Sequence, residues 1–561
     1  MPVADDENAL ALADVAETGA RPQALAEYGA ENGHLRAPGG ARHGGDFFGR
    51  TRLLWIGGYL AAGLLLFLCY LRFSGTVGVT ADGGLSSVQA WEMLHGNWLL
   101  KGWALGDVTY YTTELPEYVL VEMFRGLGPQ DVHISGALTY TLIVLLGGLL
   151  AKGNKTGKEG LVRVLIASGI MIAPQVGPGA FALLEEPDHT GTAVPLLLIF
   201  LLLDRAPRRW WVPGAVGLML VWAQIGDRTV VTMGVLPIVV VCGALVYRDV
   251  VQRREPLNAA WFNAAVAASA VVSAIVAAAV VKIISHLGGY SAPPLNAKIA
   301  PTTSWPANAA MVADGVLRLF GASFNARAAG AGTLLAVLHL VGVLLAVWAL
   351  CSVIRRFFTC DDLIAQILTV AILVQLAAYG FSTLPYGVDQ SHEIACVLPF
   401  GAVLAGRVLA ERLTRARLLP ALAVVACGYL VALGHGLVQP QQPAHDQALG
   451  PWLRAHHLTA GFSNYSDAGA IELASGDTIT MTVPWFHSDY VSRGILVEER
   501  VSDFDPRLHY ANFVVSTELY GPQGYIPPSQ AIRAFGQPAH TYHFKSWTIL
   551  VWNKNLLTEL R

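Results

Sequence analysis

TADGGLSSVQAWEMLHGNWLLKGWALGDVTYYTTELPEY (80–118) follows directly on an apolar run at 53–73, and its reading decides the fold. It carries Asp82, Asp107, Glu114 and Glu117 among tryptophans and tyrosines, far more chemistry than a connecting loop needs. What those acids do depends on which side of a membrane they face.

The membrane itself follows from composition. The 561 residues are 54% hydrophobic and 14% charged, with a mean hydropathy of +0.47. Soluble domains carry about a quarter of their residues as charges, so the chain reads as an integral membrane protein. A formal charge of −3, with no basic stripe away from membrane segments, excludes nucleic acid as a partner. The six cysteines lie in or beside apolar runs, which suggests neither a disulfide framework nor a CxxC metal site. Residues 1–50 are rich in Ala, Gly and Glu and lack amphipathic periodicity, so they read as a disordered tail without a cleavable signal.

About 20 apolar residues span a bilayer as a helix. On that rule the sequence predicts eleven helices, near 53–73, 133–151, 161–175, 191–204, 213–226, 229–247, 258–286, 331–354, 363–381, 394–407 and 418–437. Alternate loops carry Lys152/Lys155/Lys158/Arg163, Arg205/Arg208/Arg209, Arg248/Arg253/Arg254, Arg355/Arg356 and Arg407/Arg412/Arg415/Arg417. Basic loops stay cytoplasmic. The amino terminus is therefore expected inside the cell, in the plasma membrane, with residues 438–561 outside. The opening stretch (first outer loop 74–132) and loops 176–190, 287–330 and 382–393 share that outer face. Few acids or histidines continue through the helices, as an ion or substrate path would need.

Asp82 follows the first helix closely, and Gly83 and Gly84 after it would allow a tight turn or the close approach of a substrate. Partial desolvation would make Asp82 a better base. The competing reading is a helix cap before a short interfacial helix at 85–94. Trp91, Trp98 and Trp103 suit the headgroup level as anchors. Glu114, between a Thr pair and Leu-Pro, is expected to return towards Asp82 on an interfacial piece. Glu185, Glu186, Asp188 and His189 gather before a helix; they are favoured there by the helix dipole alone, or they hold a divalent metal, Mg²⁺ or Mn²⁺ for so oxygen-rich a set. Arg228, Lys298, His392 and Glu393 are the outer-face candidates for binding a phosphate or sugar. Arg228 could instead pair with Asp227, Lys298 could be solvated, and His392 could cap a helix or be satisfied by Glu393.

An Asp near the start of a long first outer loop, made of interfacial helices after the first span, resembles the GT-C fold. These polytopic glycosyltransferases use polyprenyl-phosphate-linked sugars, the protein O-mannosyltransferase and aminoarabinose-transferase groups among them. The family often pairs two adjacent acids in that loop, whereas Asp82 is followed by Gly-Gly. The resemblance implies that Asp82 is the general base for an acceptor hydroxyl that displaces polyprenyl phosphate with inversion. The implied partners are the polyprenyl-phosphate sugar, an extracytoplasmic glycan, lipid or protein acceptor, and membrane lipids. Two other readings stay open: a lipid or polysaccharide transporter or flippase, and a non-catalytic relative that binds carbohydrate or a partner.

Residues 438–561 change character. LGPWLRAHHL and PPSQAIRAFG read as helices, HYANFVVST and HTYHFKSWTILVW each as one strand, so a small extracytoplasmic α/β domain is expected. GFSNYSDAGAIELASGD (461–477) has the look of an aromatic-polar surface suited to carbohydrate.

Overall fold

The computed structural model describes residues 44–561 apart from 107, 207, 292–296, 325–330, 386–387, 443–447, 488–489, 495–497 and 518–525. The tail expected over 1–50 lies outside the described residues as far as 43, as does Asp107. Residues 1–59 count as one unit, and residues 60–561 form a second, compact one that holds the cavity and its walls.

In hydrocarbon a backbone N–H has only its own chain to bond, and every one of the eleven apolar runs forms a helix. In chain order the helices are α1 (Gly44–Ser74), which starts inside the stretch read as tail, α2 (Ala81–Leu94), α3 (Leu115–Arg125) and α4 (Gln130–Lys152). Next come α5 (Gly157–Met171), α6 (Pro178–Leu184), α7 (Ala193–Arg205), α8 (Val212–Gly226) and α9 (Leu236–Tyr247). Then follow α10 (Trp261–His286), α11 (Trp305–Leu319), α12 (Ala331–Ile354), α13 (Leu363–Gly380), α14 (Val397–Arg415) and α15 (Leu419–Leu437). Eight are long and apolar enough to cross a membrane, among the described residues. The chain is a membrane protein. Three of the eleven, α5, α7 and α8, run only 15, 13 and 15 residues, whereas the 12-residue α9 is extended to a 22-residue span, Val231–Gln252, by a π-helical turn at each end.

Small residues set the centre of the bundle. A Cβ on Gly406 of α14 would stand 2.6 Å from the Arg163 carbonyl oxygen of α5, and one on Gly401 would meet the Phe320 ring at 3.0 Å. Close approach of this kind is how helices pack where lipid supplies no hydrophobic drive. By contrast α10 and α15 are only 22% buried and face lipid along much of their length.

The carboxy-terminal segment adds α16 (Leu449–Ala455), α17 (Tyr465–Ser475) and α18 (Pro528–Phe535). Its strands follow β1 (Trp103–Ala104) of the loop at 74–132 and are β2 (Ala460–Phe462), β3 (Thr480–Thr482), β4 (Trp485–Phe486) and β5 (Val491–Ser492). The last four are β6 (Glu499–Arg500), β7 (Phe513–Thr517), β8 (His540–Phe544) and β9 (Trp547–Val551). A five-stranded sheet runs β3-β2-β7-β9-β8, parallel through the first three and antiparallel after. Alternation splits its side chains between two cores, Val514 and Leu550 against Phe535 on one face, Phe513 and Ile549 against Leu453 and Ile471 on the other. The single final strand expected from HTYHFKSWTILVW is a hairpin instead. Phe544 pairs with Trp547 across Lys545 and Ser546, and Lys545 takes the positive φ (51°) that a two-residue turn requires.

Two contacts bind this segment to the loop at 74–132. β1 pairs with β6, matching Trp103 to Arg500. Helix α17 lies against α2 at a glycine contact: a Cβ on Gly84 would sit 2.7 Å from the Gly469 carbonyl carbon, and one on Gly469 would sit 2.5 Å from the Ala81 carbonyl oxygen. GFSNYSDAGAIELASGD is therefore largely an internal packing face and not an open carbohydrate surface.

Candidate active site

The first turn of α2 explains the position of Asp82. The cap is Thr80, whose hydroxyl accepts from the Gly83 N–H at 3.5 Å. The Thr80 N–H in turn donates to Glu185 at 2.7 Å, and its hydroxyl to Glu186 at 3.1 Å. The helix start is thus satisfied without Asp82, and the capping role is overturned. Gly83 leaves no room for a second acid, because a Cβ there would lie 2.7 Å from Val132 and 3.1 Å from Glu186. Protein, not substrate, approaches at both glycines. Asp82 points to Tyr465 of α17, whose hydroxyl lies 2.5 Å from Asp82 Oδ1 and 2.5 Å from Glu498 Oε2.

The threonines of VTYYTTELP anchor the chain to the end of α8. Helix ends leave carbonyls without partners. Here Thr109 Oγ1 donates to the Ile225 carbonyl at 2.6 Å, the Tyr110 N–H to that of Gly226 at 2.8 Å, and the Thr112 hydroxyl to that of Trp222. This holds Tyr110 at φ 47°. It also places buried Glu114 against Gly191, where a Cβ would stand 2.5 Å from the carboxylate.

Asp82 and Glu114 line one cavity of about 310 Å³, together with Glu186, Asp188, His189 and His392. Glu393, Tyr110, Tyr118, Tyr465 and Glu498 also line it, with Ser86 and Gln390. His189 Nδ1 lies 3.2 Å from Asp227 Oδ2 and its Nε2 lies 3.5 Å from Glu393 Oε2. Asp188 accepts from the Tyr110 hydroxyl and sits 3.4 Å from His392 Nε2. The two imidazoles stack, 5.8 Å between centroids and 6° between planes. His189, like Tyr110, has a positive φ (50°), and non-glycine residues in that region gather at functional sites.

The charges are unevenly matched. Burial pushes the Asp82 carboxyl up and the Asp188 charge adds to this, while the Tyr465 hydrogen bond and His392 pull it back. Burial raises Glu114, Glu185 and Glu186 well above the carboxylate range. Burial also opposes the charge on Asp188 and Asp227, but His392 and His189 beside the first, and His189 with its own hydrogen bonds on the second, hold both low. Burial alone would lower His189; Glu393, Asp188 and Asp227 outweigh it and hold the imidazolium.

The structure separates several other sequence candidates. Arg228 is exposed and does not take Asp227, which is fully buried on His189, Thr192 and Thr229. Lys298 is exposed, joined to Thr383 through its backbone, and lines no part of the cavity. Trp98 is exposed, whereas Trp103 is 2% exposed and donates to Glu92, so it is core and not an anchor. Sequence reading missed Tyr110, Tyr118, Asp227, Tyr465 and Glu498. Gly469 in the middle of α17, where glycine costs about 1 kcal/mol, was the available hint that something packs there.

The residues suited to a metal also change. Glu185 and Glu186 are engaged at the cap of α2. His189, His392 and Glu393 instead offer ligand atoms within 4.8 Å of one another. Two imidazoles and one carboxylate suit Zn²⁺ or Mn²⁺ better than Mg²⁺.

A solved structure shares this architecture. ArnT from Cupriavidus metallidurans bound to undecaprenyl phosphate matches with a TM-score of 0.53 at 13% identity, over 88% of this chain and 97% of that one. The chain has the GT-C fold. At that identity the likeness speaks for the GT-C fold alone. Weaker likenesses carry no argument: the Archaeoglobus fulgidus oligosaccharyltransferase in complex with Zn and sulfate (14% identity, 88% and 73% covered, TM-score 0.46) and the apo state of the same ArnT (13%, 91% and 99%, 0.40). No family profile and no curated protein matches the sequence.

Proposed function

We propose that the chain is a membrane glycosyltransferase that moves a sugar from a polyprenyl-phosphate carrier to a hydroxyl of an extracytoplasmic glycan, lipid or protein. The observation that carries this reading is a half-buried carboxylate, Asp82, held by a tyrosine at the wall of an acid-lined cavity in a GT-C fold. Asp82 takes the proton of the acceptor hydroxyl, whose oxygen attacks the anomeric carbon from the face opposite the leaving group. The C–O bond to polyprenyl phosphate breaks, the phosphate leaves with the electron pair, and the centre inverts. A base so placed is worth about 10²–10⁴-fold.

Glu114 and Tyr118 line the cavity, and among the described residues Glu114 Oε1 and the Tyr118 hydroxyl have no hydrogen-bond partner; sugar hydroxyls would satisfy them. The departing phosphate needs positive charge or donors. His189 and His392 line the cavity to supply these. A divalent cation on His189, His392 and Glu393 would act as a Lewis acid towards the phosphate oxygens. The basic loops argue that the cavity opens outside the cell and that the amino terminus lies within.

The test is transfer from radiolabelled polyprenyl-phosphate sugars to membrane acceptors by the purified chain. Transfer with an inverted anomeric centre is expected; no transfer from any donor sugar overturns the reading.

A further inference from the structure

We infer that Tyr465 is a positioning residue for Asp82, and that Glu498 donates to Tyr465 so that Tyr465 can donate to Asp82. This rests on the glycosyltransferase reading and adds the carboxy-terminal segment to the catalytic apparatus. The hydroxyl of Tyr465 is 2.5 Å from a carboxylate oxygen on each side. One hydroxyl holds one proton, so it donates to one carboxyl and accepts from the other. Two ionised carboxylates against one hydroxyl would leave a pair of oxygens in contact with no proton between them. The arrangement that leaves Asp82 able to act as a base has the second proton on Glu498. Oδ1 of Asp82 is then held by Tyr465, and Oδ2 is left for the acceptor.

The fold holds both partners in place. Asn464 caps α17 by accepting from the Asp467 N–H at 2.9 Å, which fixes the helix start that bears Tyr465. The Gly84–Gly469 contact lays that helix on α2. Glu498 precedes β6, which pairs with β1, and a Cβ on Gly106 would come within 3.3 Å of its carboxylate. Arg500, two residues on, forms ion pairs with Glu92 of α2 at 2.6 Å and with Asp477 at 2.7 Å and lies over the Trp103 ring. Tyr465 and Glu498 are separated by 33 residues, yet both are set by contacts with the loop that bears Asp82.

The decisive experiment compares Tyr465→Phe, Glu498→Ala and Glu498→Gln with the wild type. Tyr465→Phe and Glu498→Ala are expected to lose ~10–100-fold in kcat, the scale of a misplaced catalytic group, with the donor KM within threefold of wild type. Glu498→Gln keeps a donor towards Tyr465 and is expected to recover most of what Glu498→Ala loses. Wild-type kcat in Tyr465→Phe overturns the inference, and so does a Glu498→Gln variant as slow as Glu498→Ala. Infrared spectroscopy of the purified protein needs no substrate. Other buried carboxyls also absorb, so the readout is the wild-type minus Glu498→Gln difference spectrum: a protonated-carboxyl band there supports the shared proton, and a difference spectrum without one overturns it. An inactive wild type that shows the band would overturn the glycosyltransferase reading while leaving the proton arrangement supported.

Discussion

Two buried charge clusters stand at the two ends of α7, and they are built on opposite rules. At its carboxyl end Arg407 bonds Asp204 at 2.8 Å, Asp362 at 2.8 and 2.9 Å and the Leu150 carbonyl at 2.6 Å. Every nitrogen of that guanidinium is satisfied. Some 12 residues back along the helix, ~18 Å away at 1.5 Å per residue, Thr192 donates to Asp227 at the edge of the cavity. There six carboxyl groups line the wall and His189 and His392 are its basic side chains, among the described residues. The first cluster gathers its acids on one guanidinium and ties helices together, with Asp204 Oδ2 left without a hydrogen bond among the described residues. The second has an excess of carboxyl groups around a cavity, and among the described residues Glu114 and Tyr118 in its wall each carry an oxygen without a hydrogen bond. A charge cluster left unbalanced by its own protein is one that a substrate or ion can complete, which is why chemistry is assigned to one end and stability to the other.

Breaking the balanced end has the largest expected effect on stability. Arg407 is 7% exposed, and Arg407→Met leaves Asp204 and Asp362 without it. Losing one partner of a buried pair costs about 3–5 kcal/mol, so folded protein recovered in detergent should fall sharply on size-exclusion chromatography. Recovery equal to wild type would mean that cluster is not the structural one. At the other end, Gly469→Ala forces a Cβ to within 2.5 Å of the Ala81 carbonyl oxygen. Overpacking costs about 1–3 kcal/mol, and the resulting shift of α17 would carry Tyr465 off Asp82; a lower melting temperature together with lower transfer is expected. An unchanged melting temperature would show that the helices part without cost.

A third effect, read as a slope with pH, sharpens the contrast. Burial pushes Glu117 up to about 8 from an ordinary 4.5, against its hydrogen bond from Thr139. A raised carboxyl favours the folded state below its unfolded pKa and loses that favour as pH rises through the folded value. Wild-type stability should therefore fall between about pH 4.5 and 8 by up to about 1.4 kcal/mol per unit from this group. Glu117→Gln should remove that slope and melt higher than wild type above pH 8. Parallel melting curves for the two proteins across that range would contradict it.

Much of this was legible because it is local. Long apolar runs fold as helices wherever they sit, so the runs at 331–354 and 363–381 read nearly to the residue as α12 and α13. The acids of the cavity wall were visible as polar residues beside the apolar runs, and Asp82, Glu114, Glu186, Asp188, His189, His392 and Glu393 meet in one cavity. What stayed hidden is non-local. Tyr465 meets Asp82 across 383 residues, and no periodicity encodes such a pairing. Asp227 and Arg228 are neighbours in sequence, so an ion pair was the natural expectation. The chain turns there, sending Asp227 inward to His189 and Arg228 to the surface. Gly-Gly after Asp82 looked like room for a ligand and is the crossing point of two segments. Trp103 looked like a lipid anchor and lies under Arg500.

The most direct test of the central claim, that the unbalanced end does the chemistry through Asp82, is sugar transfer by Asp82→Asn beside the wild type, with melting temperatures recorded for both. The account predicts a fall of about 10²–10⁴-fold in kcat with a melting temperature close to wild type, because the α2 cap belongs to Thr80. Transfer by the variant at the wild-type rate would contradict it.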